Sequence, residues 1–253
     1  MMAVRAGTAE IITCEMNPAV AQMATDSVAR NGFADPVRVV AKHSDALDVK
    51  ADLGGPMDIL VSEIVSNNLL GEEVLPAHER AVRNLLKPGG CVIPARSRIC
   101  VAFAEDLRGD EQNLGAIDGF DLSAFNTFIS AKCQIRVGHE RLKLRSDAAN
   151  LFAFDFGANE FCAPARTSLI CRAIGGPVNG IAQWIVLDMD EEIRYENRPT
   201  PGATSCWAVV FHPLPFPIET SPGQEIRISG SHDRHQVSIW CDPTDVAICR
   251  IPT

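Results

Sequence analysis

The stretch MDILVSEIVSNNLLGE, residues 57–72, is the most informative part of this sequence for the fold. Its apolar start at 57–61 is typical of a buried strand, and two glutamates, Glu63 and Glu72, follow it. On an α-helix their separation amounts to about two and a half turns, which would place the side chains on opposite faces. If the two act together, the segment forms a hairpin-like loop. Asn67-Asn68 and Gly71 suit such a loop, because Asn and Gly tolerate turn conformations best.

Two carboxylates placed in this way suit the recognition of one guanidinium group. A guanidinium is planar and permanently charged, and its donors form a fixed fork, so paired acidic acceptors orient the group as well as bind it. The ordinary alternative is that both glutamates are solvated surface charges, since Glu is seldom buried without a partner. The residues around the pair favour the functional interpretation.

The first half of the chain alternates between strand and helix patterns. Nearly continuous apolar runs predict parallel strands covered on both faces, and the alternation predicts a doubly wound α/β sheet. Asn17-Pro18 opens a helix that Asn31-Gly32 ends, since Pro suits a first helical turn and Gly a helix end. The predicted strands are residues 10–15, 37–41, 57–61 and 91–94, and residues 85–90 are predicted as a helix ending in a turn.

Polar residues follow the carboxyl ends of three of these strands, where doubly wound sheets bind their ligands. Glu15 is placed to accept hydrogen bonds from two vicinal ribose hydroxyls, and the alternative is a strand-terminal surface acid. Ser44 and Asp45 come after the next strand, with a helix cap or loop residue as the alternative, and Glu63 comes after the third. Together these residues indicate a nucleotide-like cofactor without saying which one.

Several motifs, in the same order along the chain, resemble the protein arginine methyltransferases. Ser62-Glu63 with Glu72 resembles the double-glutamate loop of that family, and residues 11–15 resemble the strand that ends in its ribose-binding acid. The resemblance covers essentially the whole chain, and residues 31–33 and 42–44 are similar to the monomethylating, type III branch in particular. The other segments that carry it are residues 1–7, 92–95, 119–123 and 204–207.

The resemblance implies a two-domain α/β plus β fold. Residues 1–94 are expected to form a Rossmann-like class I methyltransferase sheet, and residues 95–253 a β-barrel domain that binds the substrate. An arm for dimerisation is expected near residues 116–139, with a decorated loop as the alternative. The implied protein is a cytoplasmic homodimer.

The resemblance also implies the chemistry of the site. Glu15, Ser44 and Asp45 are expected to bind S-adenosyl-L-methionine, with Asp45 and Ser44 at the adenine amino group. Glu63 and Glu72 are expected to hold an arginine side chain of a protein or peptide while one guanidinium nitrogen receives the methyl group. Glu72 is the expected nearer acceptor, although the adjacent acid at position 73 is easily mistaken for it.

Two departures from the family pattern bear on activity. The family's glycine-rich cofactor loop is expected immediately before Met1, so we expect that the sequence begins inside a longer protein and that this chain binds the cofactor weakly. Where the family has Thr-His-Trp, this chain has Cys206 before Trp207, and a thiol lacks the strong donor and acceptor of an imidazole. Trp207 is expected to wall the arginine pocket, with a barrel-core role as the alternative. His212 is a candidate replacement for the missing His.

The second half of the sequence has the pattern of an all-β unit. Short apolar runs separated by Gly, Pro and Asn turns predict a β-barrel or sandwich. Residues 175–177 and 199–202 are strong turn signals, and residues 116–139 interrupt the rhythm. The predicted strands are residues 99–103, 151–156, 167–174, 181–187, 206–211, 225–228 and 237–240.

Composition narrows the classes of partner and cofactor. The 253 residues include 23 basic and 32 acidic ones, a net charge of −9 that disfavours nucleic acid and suits basic, arginine-rich protein substrates. The nine cysteines form no CxxC pair and several fall in predicted strands, which indicates reduced core residues of a cytosolic protein. The six histidines have no ligand spacing, so no metal site is predicted, and no apolar run is long enough for a membrane span.

Two other functions remain open on the sequence alone. One is a methyltransferase of the same fold that acts on another nucleophile. The other is a non-catalytic relative that serves as a dimerising scaffold.

Overall fold

The computed structural model describes residues 1–107, 114–128, 132–158 and 162–241. Within these ranges the chain forms two compact units. The first consists mainly of residues 1–61 and 76–92, and the second mainly of residues 62–75, 93–156 and the described residues from 162 onward. The segment Ser62–Leu75, which carries both glutamates, therefore groups with the second half of the chain.

The first unit contains the helices and strands that its sequence pattern predicts, with one exception. The helix α2 begins as expected, because the Asn17 side chain accepts hydrogen bonds from the backbone N–H groups of Ala19 and Val20, and Pro18 occupies the first turn. The elements are α1 (Met2–Arg5), β1 (Ile11–Cys14), α2 (Pro18–Arg30), β2 (Val37–Val40), a 3-10 helix (Ser44–Ala46), β3 (Met57–Val61), α3 (Val74–Asn84) and β4 (Leu86–Ile93).

The exception lies at the junction of α3 and β4. The sequence pattern predicts a helix at residues 85–90, but α3 ends at Asn84 and Leu86 already belongs to β4. The physical reason is Pro88, whose ring disfavours the helical conformation for the residue before it and so moves the end of the helix upstream. Gly89, with φ 76°, then falls inside the strand instead of ending a helix.

The strands of the first unit form two separate pairs. β1 and β2 are parallel, with Ile11 opposite Val37, while β3 pairs with β4. No strand in the described ranges joins the two pairs. The prediction that these strands are covered on both faces is wrong for β3, in which Ile59 is 51 % and Val61 69 % exposed. The helix α2 packs on β2, but no helix of the described chain makes extensive contact with β3.

The second unit is built from antiparallel strands in two larger sheets. Its largest sheet has the order β10-β5-β12-β14-β8, with β13 added beside β12 and β9 beside β5, and its three-stranded sheet has the order β11-β15-β16. The strands are β5 (Arg96–Asp106), β6 (Ala116–Ile117), β7 (Phe120–Asp121), β8 (Cys133–Ile135), β9 (Leu142–Leu144), β10 (Ala149–Asp155), β11 (Ala165–Arg172), β12 (Gly176–Asp188), β13 (Arg194–Glu196), β14 (Val209–Thr220), β15 (Glu225–His232) and β16 (Val237–Cys241). The three-stranded sheet contacts the large sheet through β11 beside β10 and β16 beside β14.

The centre of the large sheet is buried on both faces. Alternate residues of β12 point to opposite sides. On one side Ala182 and Trp184, both fully buried, pack in a core that includes Phe211. On the other side Gln183 lies directly across from Val210, and His212 is opposite Ile181. This second face carries the polar groups of the site described below.

One prediction for the second unit needs correction. The strand predicted at residues 206–211 begins only at Val209, because the Ser205 hydroxyl accepts a hydrogen bond from the Trp207 N–H at 2.9 Å and holds a local turn. The stretch predicted as an arm, residues 116–139, includes one strand of the large sheet, and its role as an arm stays a prediction. It contains the hairpin β6–β7 and a 3-10 helix at Ser123–Phe128, while β8 already pairs with β14 in the large sheet; residues 129–131 lie outside the described ranges. None of the helices in the described ranges has the length and apolarity needed to cross a membrane.

Candidate active site

The loop between Glu63 and Glu72 is a tight hairpin-like turn, as predicted. Ser66 and Leu69 form an isolated antiparallel bridge, with Asn67-Asn68 as its two central residues. The Leu69 N–H donates to the Ser66 carbonyl at 2.9 Å. Leu69 has φ 74°, a left-handed conformation that a non-glycine residue seldom adopts and that persists only where its surroundings fix it.

Side-chain oxygens close the turn from within. The Gly71 N–H donates to both the Ser66 hydroxyl and the Asn68 side-chain oxygen, each at 2.9 Å, and the hydroxyl itself donates to that oxygen at 2.6 Å. A β-carbon at Gly71 would lie 2.8 Å from the Ser66 hydroxyl and 2.9 Å from the Asn68 oxygen. Only glycine fits position 71 while these bonds are kept, which explains the residue that the sequence places there.

Three donors from the second half of the chain hold the loop from outside. The Trp207 indole N–H donates to the Val65 carbonyl at 2.6 Å, and the Ala208 N–H donates to the Asn67 side-chain oxygen at 2.8 Å. The Gln183 side chain donates to the Asn68 carbonyl at 3.3 Å. The loop is therefore anchored at three positions, 65, 67 and 68, by β12 and by the segment that leads into β14.

A single polar cavity of about 650 Å³ contains both glutamates in its lining. Glu63 and Glu72 are exposed, so their carboxylates are available to a ligand. The opposite wall is formed by polar side chains of the strands and by the residues that anchor the loop. It includes Lys132, Gln134, Gln183, Cys206, Trp207 and His212.

The wall of this cavity contains one buried imidazole. His212 is 5 % exposed, and its Nε2 lies 2.8 Å from the Gln183 side-chain oxygen. Burial, with a smaller contribution from the positive charge of Lys132, lowers the pKa of His212 to about 3. The ring is therefore neutral at physiological pH. A single amine, Lys132, faces the two acids within the described lining, so the net charge of the cavity is negative and suits a cation.

Glu15 lies in the first unit, directly after β1. It is half-buried, and its Oε1 accepts a hydrogen bond from the Asn17 N–H at 2.7 Å, which fixes the carboxylate over the start of α2. A carboxylate held in this way keeps its second oxygen for a further donor. The geometry suits the ribose hydroxyls that the sequence predicts as its ligand.

Asp45 is paired inside the first unit. Its carboxylate receives two bonds from the Arg80 guanidinium, Nε at 2.7 Å and Nη2 at 2.6 Å. The His43 side chain also lies close, with Nδ1 accepting the Asp45 N–H at 3.2 Å. The cavity beside Ser44 and Asp45 has a volume of about 40 Å³, far smaller than the cavity of about 650 Å³ that the two glutamates line. The predicted adenine position is thus closed by Arg80 in this structure.

Comparison with known proteins finds similarity to enzymes of one kind. No protein-family model matches it. The chain is 34 % identical over 232 residues to an arginine N(omega)-methyltransferase of Streptomyces achromogenes subsp. streptozoticus, covering 90 % of this chain and 63 % of that protein. It is 26 % identical over 264 residues to protein arginine N-methyltransferase 7 of Danio rerio, covering 95 % of this chain and 38 % of that protein.

Comparison with solved structures shows similarity in the fold as well. The chain superposes with a TM-score of 0.76 on the Trypanosoma brucei PRMT1 enzyme-prozyme heterotetrameric complex with AdoHcy, at 18 % identity and over 96 % of this chain and 83 % of that one. This chain is similar to arginine methyltransferases in sequence and in fold. Its fold is that of these enzymes, a Rossmann-like methyltransferase sheet followed by a β-barrel domain, as predicted. The chain spans about two thirds or less of the curated relatives it matches.

The arginine methyltransferase resemblance assigns Thr-His-Trp to the segment around Trp207, and the structure shows what the local change does. Cys206 is exposed and lines the cavity of the two glutamates. Trp207 both lines this cavity and packs edge-on against Tyr195, with ring centroids 5.2 Å apart. It lines the cavity and anchors the loop through the Val65 carbonyl, and it is half-buried, unlike the buried core residue Trp184.

Gln183 is a site residue that the sequence reasoning missed. It is fully buried within the apolar strand β12, between Ala182 and Trp184. A buried side-chain amide needs hydrogen-bond partners, so a Gln within an apolar strand is the feature of the sequence that could have indicated a role for this residue. Its partner lies 115 residues away in the sequence, which no local pattern can show. In the described part of the chain, no group of three or more His, Cys, Asp or Glu residues could hold a metal ion.

Proposed function

We propose that this protein transfers a methyl group from S-adenosyl-L-methionine to a guanidinium nitrogen of arginine in a protein or peptide. The observation that carries the proposal is the cavity that Glu63 and Glu72 share, brought about by the turn at Asn67-Asn68. The similarity to arginine methyltransferases supports the reaction class, and the similarity to protein arginine N-methyltransferase 7 supports the monomethylating branch.

The two glutamates give the substrate its position. A guanidinium that enters the cavity donates from two of its edges to Glu63 and Glu72, which fixes the plane of the group and the direction of the remaining nitrogen. Arginine is not deprotonated in advance at physiological pH, so its proton leaves during or after transfer. The carboxylates stabilise the positive charge and can accept that proton, and Glu72 is our choice for the acceptor.

The cofactor is assigned to the first unit. When bound, S-adenosyl-L-methionine would supply a methyl group on a sulfonium: a bond from the guanidinium nitrogen to the methyl carbon would form as the carbon–sulfur bond breaks, which would leave a neutral thioether. Glu15 fits its ribose, since one carboxylate oxygen is held by Asn17 and the other is available. Ser44 and Asp45 fit the adenine amino group only after Arg80 leaves the Asp45 carboxylate.

A non-catalytic scaffold is the second candidate, and two observations favour it. The ion pair between Arg80 and Asp45 closes the adenine position, and the strand pairs β1–β2 and β3–β4 are not joined in the described chain. For either candidate we propose homodimerisation through the segment around β6 and β7, where Ile117, Phe120 and Phe125 are 48 %, 71 % and 56 % exposed. Exposed apolar side chains clustered in one short segment are typical of a contact surface.

A cytoplasmic location is also proposed. The eight cysteines in the described ranges are all free thiols, as expected for a protein that stays in a reducing compartment.

The test is transfer of a radiolabelled methyl group from S-adenosyl-L-methionine to an arginine-rich peptide, with the same peptide containing lysine in place of arginine as the substrate control. Glu63→Gln and Glu72→Gln each remove one charged acceptor, and we expect kcat to fall by about 100-fold or more for each. Glu73→Gln is the matched control, because Glu73 is also exposed but does not line the cavity.

Three results decide between the candidates. Loss of transfer in the two cavity variants but not in the Glu73 variant supports the proposal. Methylation of the lysine peptide, or of small molecules, that is insensitive to Glu72→Gln points to another nucleophile. Absence of S-adenosylhomocysteine binding in calorimetry, together with dimers in sedimentation, supports the scaffold.

A further inference from the structure

A chain of hydrogen bonds links a buried histidine to the backbone of the loop that carries Glu63 and Glu72. His212 in β14 contacts Gln183 in β12, and Gln183 contacts the Asn68 carbonyl. His212 is 5 % exposed and Gln183 is fully buried, so both groups depend on each other and on the loop for partners. All three residues belong to the second unit.

The direction of each bond in this chain follows from chemistry. The Asn68 carbonyl can only accept, so the Gln183 amide must present its NH₂ group there and its oxygen to His212. That oxygen also only accepts, so the His212 Nε2 must carry a proton. The His212 Nδ1 has no hydrogen-bond partner and is buried, which is compatible only with an unprotonated nitrogen in a neutral ring. His212 is therefore neutral, with its proton on Nε2.

The link completes the set of donors that fix the loop. Trp207 holds the Val65 carbonyl and the Ala208 N–H holds the Asn67 side chain, but neither contacts the peptide that leads into Leu69. Among the described residues, the Gln183 amide is the side chain that reaches the Asn68 carbonyl, at the point where the chain enters the left-handed conformation of Leu69. At 3.3 Å this bond is long, so it depends on the Gln183 side chain being held from its other end.

We propose that Gln183 and His212 are positioning residues that set the shape of the loop carrying Glu63 and Glu72, with His212 acting through Gln183. The effect of these two residues on the loop does not depend on which reaction the protein catalyses. Their effect on methyl transfer rests on the proposed function. Neither residue needs to touch the substrate. Their role is to keep two exposed carboxylates at the spacing that a single guanidinium requires, which is a demand on placement of well under an ångström.

The first experiment measures hydrogen exchange of the loop amides, which needs no activity. In wild type, the N–H groups of Leu69 and Gly71 are bonded inside the turn. His212→Leu removes the donor to Gln183, and Gln183→Glu places an acceptor against the Asn68 carbonyl. We expect each variant to speed exchange of these two amides by about 10-fold or more. His212→Gln carries a side-chain NH₂ where the imidazole has Nε2–H and should restore exchange to within about 2-fold of wild type.

Two controls separate positioning from general damage. Backbone amides of β15, such as that of Ile228, should exchange at the wild-type rate in all variants, since β15 is paired on both sides by β11 and β16, in a sheet that contains neither Gln183 nor His212. His235→Gln, at an exposed turn, should leave every loop amide unchanged. Equal loop exchange in wild type, His212→Leu and Gln183→Glu would overturn the proposal.

Nitrogen-15 NMR of the histidine rings gives a second, independent reading. His212 should show the neutral tautomer with the proton on Nε2 at about pH 5.5, where exposed histidines are charged. A charged ring, or a proton on Nδ1, would contradict the hydrogen-bond directions derived above.

Kinetics then distinguish this inference from the proposed function. If the protein methylates arginine, His212→Leu and Gln183→Glu should lower kcat by about 10-fold or more with an unchanged KM for S-adenosyl-L-methionine, and His212→Gln should recover most of it. If loop exchange responds as expected but wild type itself transfers no methyl group, the proposed function fails and the positioning role stands. If loop exchange does not respond, the positioning role fails whatever the activity.

Discussion

Lowering the pH should destabilise the second unit. The contribution of His212 to this loss of stability follows from its pKa in the folded protein. Burial lowers the pKa of His212 from 6.5 to about 3 in the folded protein. Between these values the unfolded chain binds a proton that the folded protein does not, so stability falls as the pH falls through this window and is fully present above it. The whole shift corresponds to about 5 kcal/mol at roughly 1.4 kcal/mol per pKa unit, of which about 2 kcal/mol is lost by about pH 5.

The measurement is urea denaturation followed by tryptophan fluorescence. All three tryptophans, Trp184, Trp207 and Trp240, lie in the second unit, so the signal reports the unit that contains His212. The free energy of unfolding is measured at about pH 8 and about pH 5 for wild type and for His212→Gln. The variant lacks the imidazole but keeps a donor for Gln183, so it should lose about 2 kcal/mol less than wild type over this interval.

The difference between the two proteins isolates one group. Burial also lowers the pKa of His232, and carboxylates titrate below about pH 5, but both proteins share these groups and their contributions cancel. Equal losses in wild type and His212→Gln would refute the reasoning, because His212 would then be charged or solvated in the folded state. A larger loss in the variant would show that Gln cannot occupy the site.

Two further predictions concern packing and the cofactor. Gly180→Ala should destabilise the protein by about 1–3 kcal/mol in the same urea assay, because its β-carbon would lie 2.1 Å from the Phe211 ring. Gly115→Ala, where no atom lies within 4 Å, is the control, and equal effects of the two changes would contradict the packing argument. Arg80→Ala frees the Asp45 carboxylate and should tighten S-adenosylhomocysteine binding several-fold in calorimetry. Unchanged or weaker binding would show that the ion pair does not compete with the cofactor.

Local chemistry made part of this structure predictable. The turn between the glutamates follows from Asn67-Asn68 and Gly71, whose preferred conformations are properties of single residues. The start of α2 follows from Asn17 and Pro18 in the same way. The longer strands of the second unit, such as β5, β12 and β15, could be recognised because their apolar runs are bounded by Gly and Pro turns. The short strands β6 to β9 and β13 were not predicted.

The remaining features depend on contacts between distant parts of the chain. Asp45 and Arg80, which form an ion pair, lie 35 residues apart in the sequence. Because of this pair, the carboxylate that the sequence predicts as a cofactor ligand is instead bonded to a side chain of α3. The exposure of Val61 follows from which elements pack on β3, and a run of apolar residues cannot show whether they do. Whether a strand is buried depends on the elements that pack against it. The sequence pattern therefore predicted β3 correctly as a strand but wrongly as a strand covered on both faces.

The loop that carries the glutamates owes its shape to the second half of the chain, and this bears on the loss of the family histidine. The donors that hold Val65, Asn67 and Asn68 belong to Trp207, Ala208 and Gln183. A cysteine at position 206 therefore leaves these anchors in place. What it removes is an imidazole from the cavity wall, next to where a guanidinium would bind. We accordingly expect Cys206→His to change kcat, through the charge and hydrogen bonds offered to the substrate, while exchange of the loop amides stays as in wild type. A change in loop exchange on this substitution would mean that position 206 also shapes the loop.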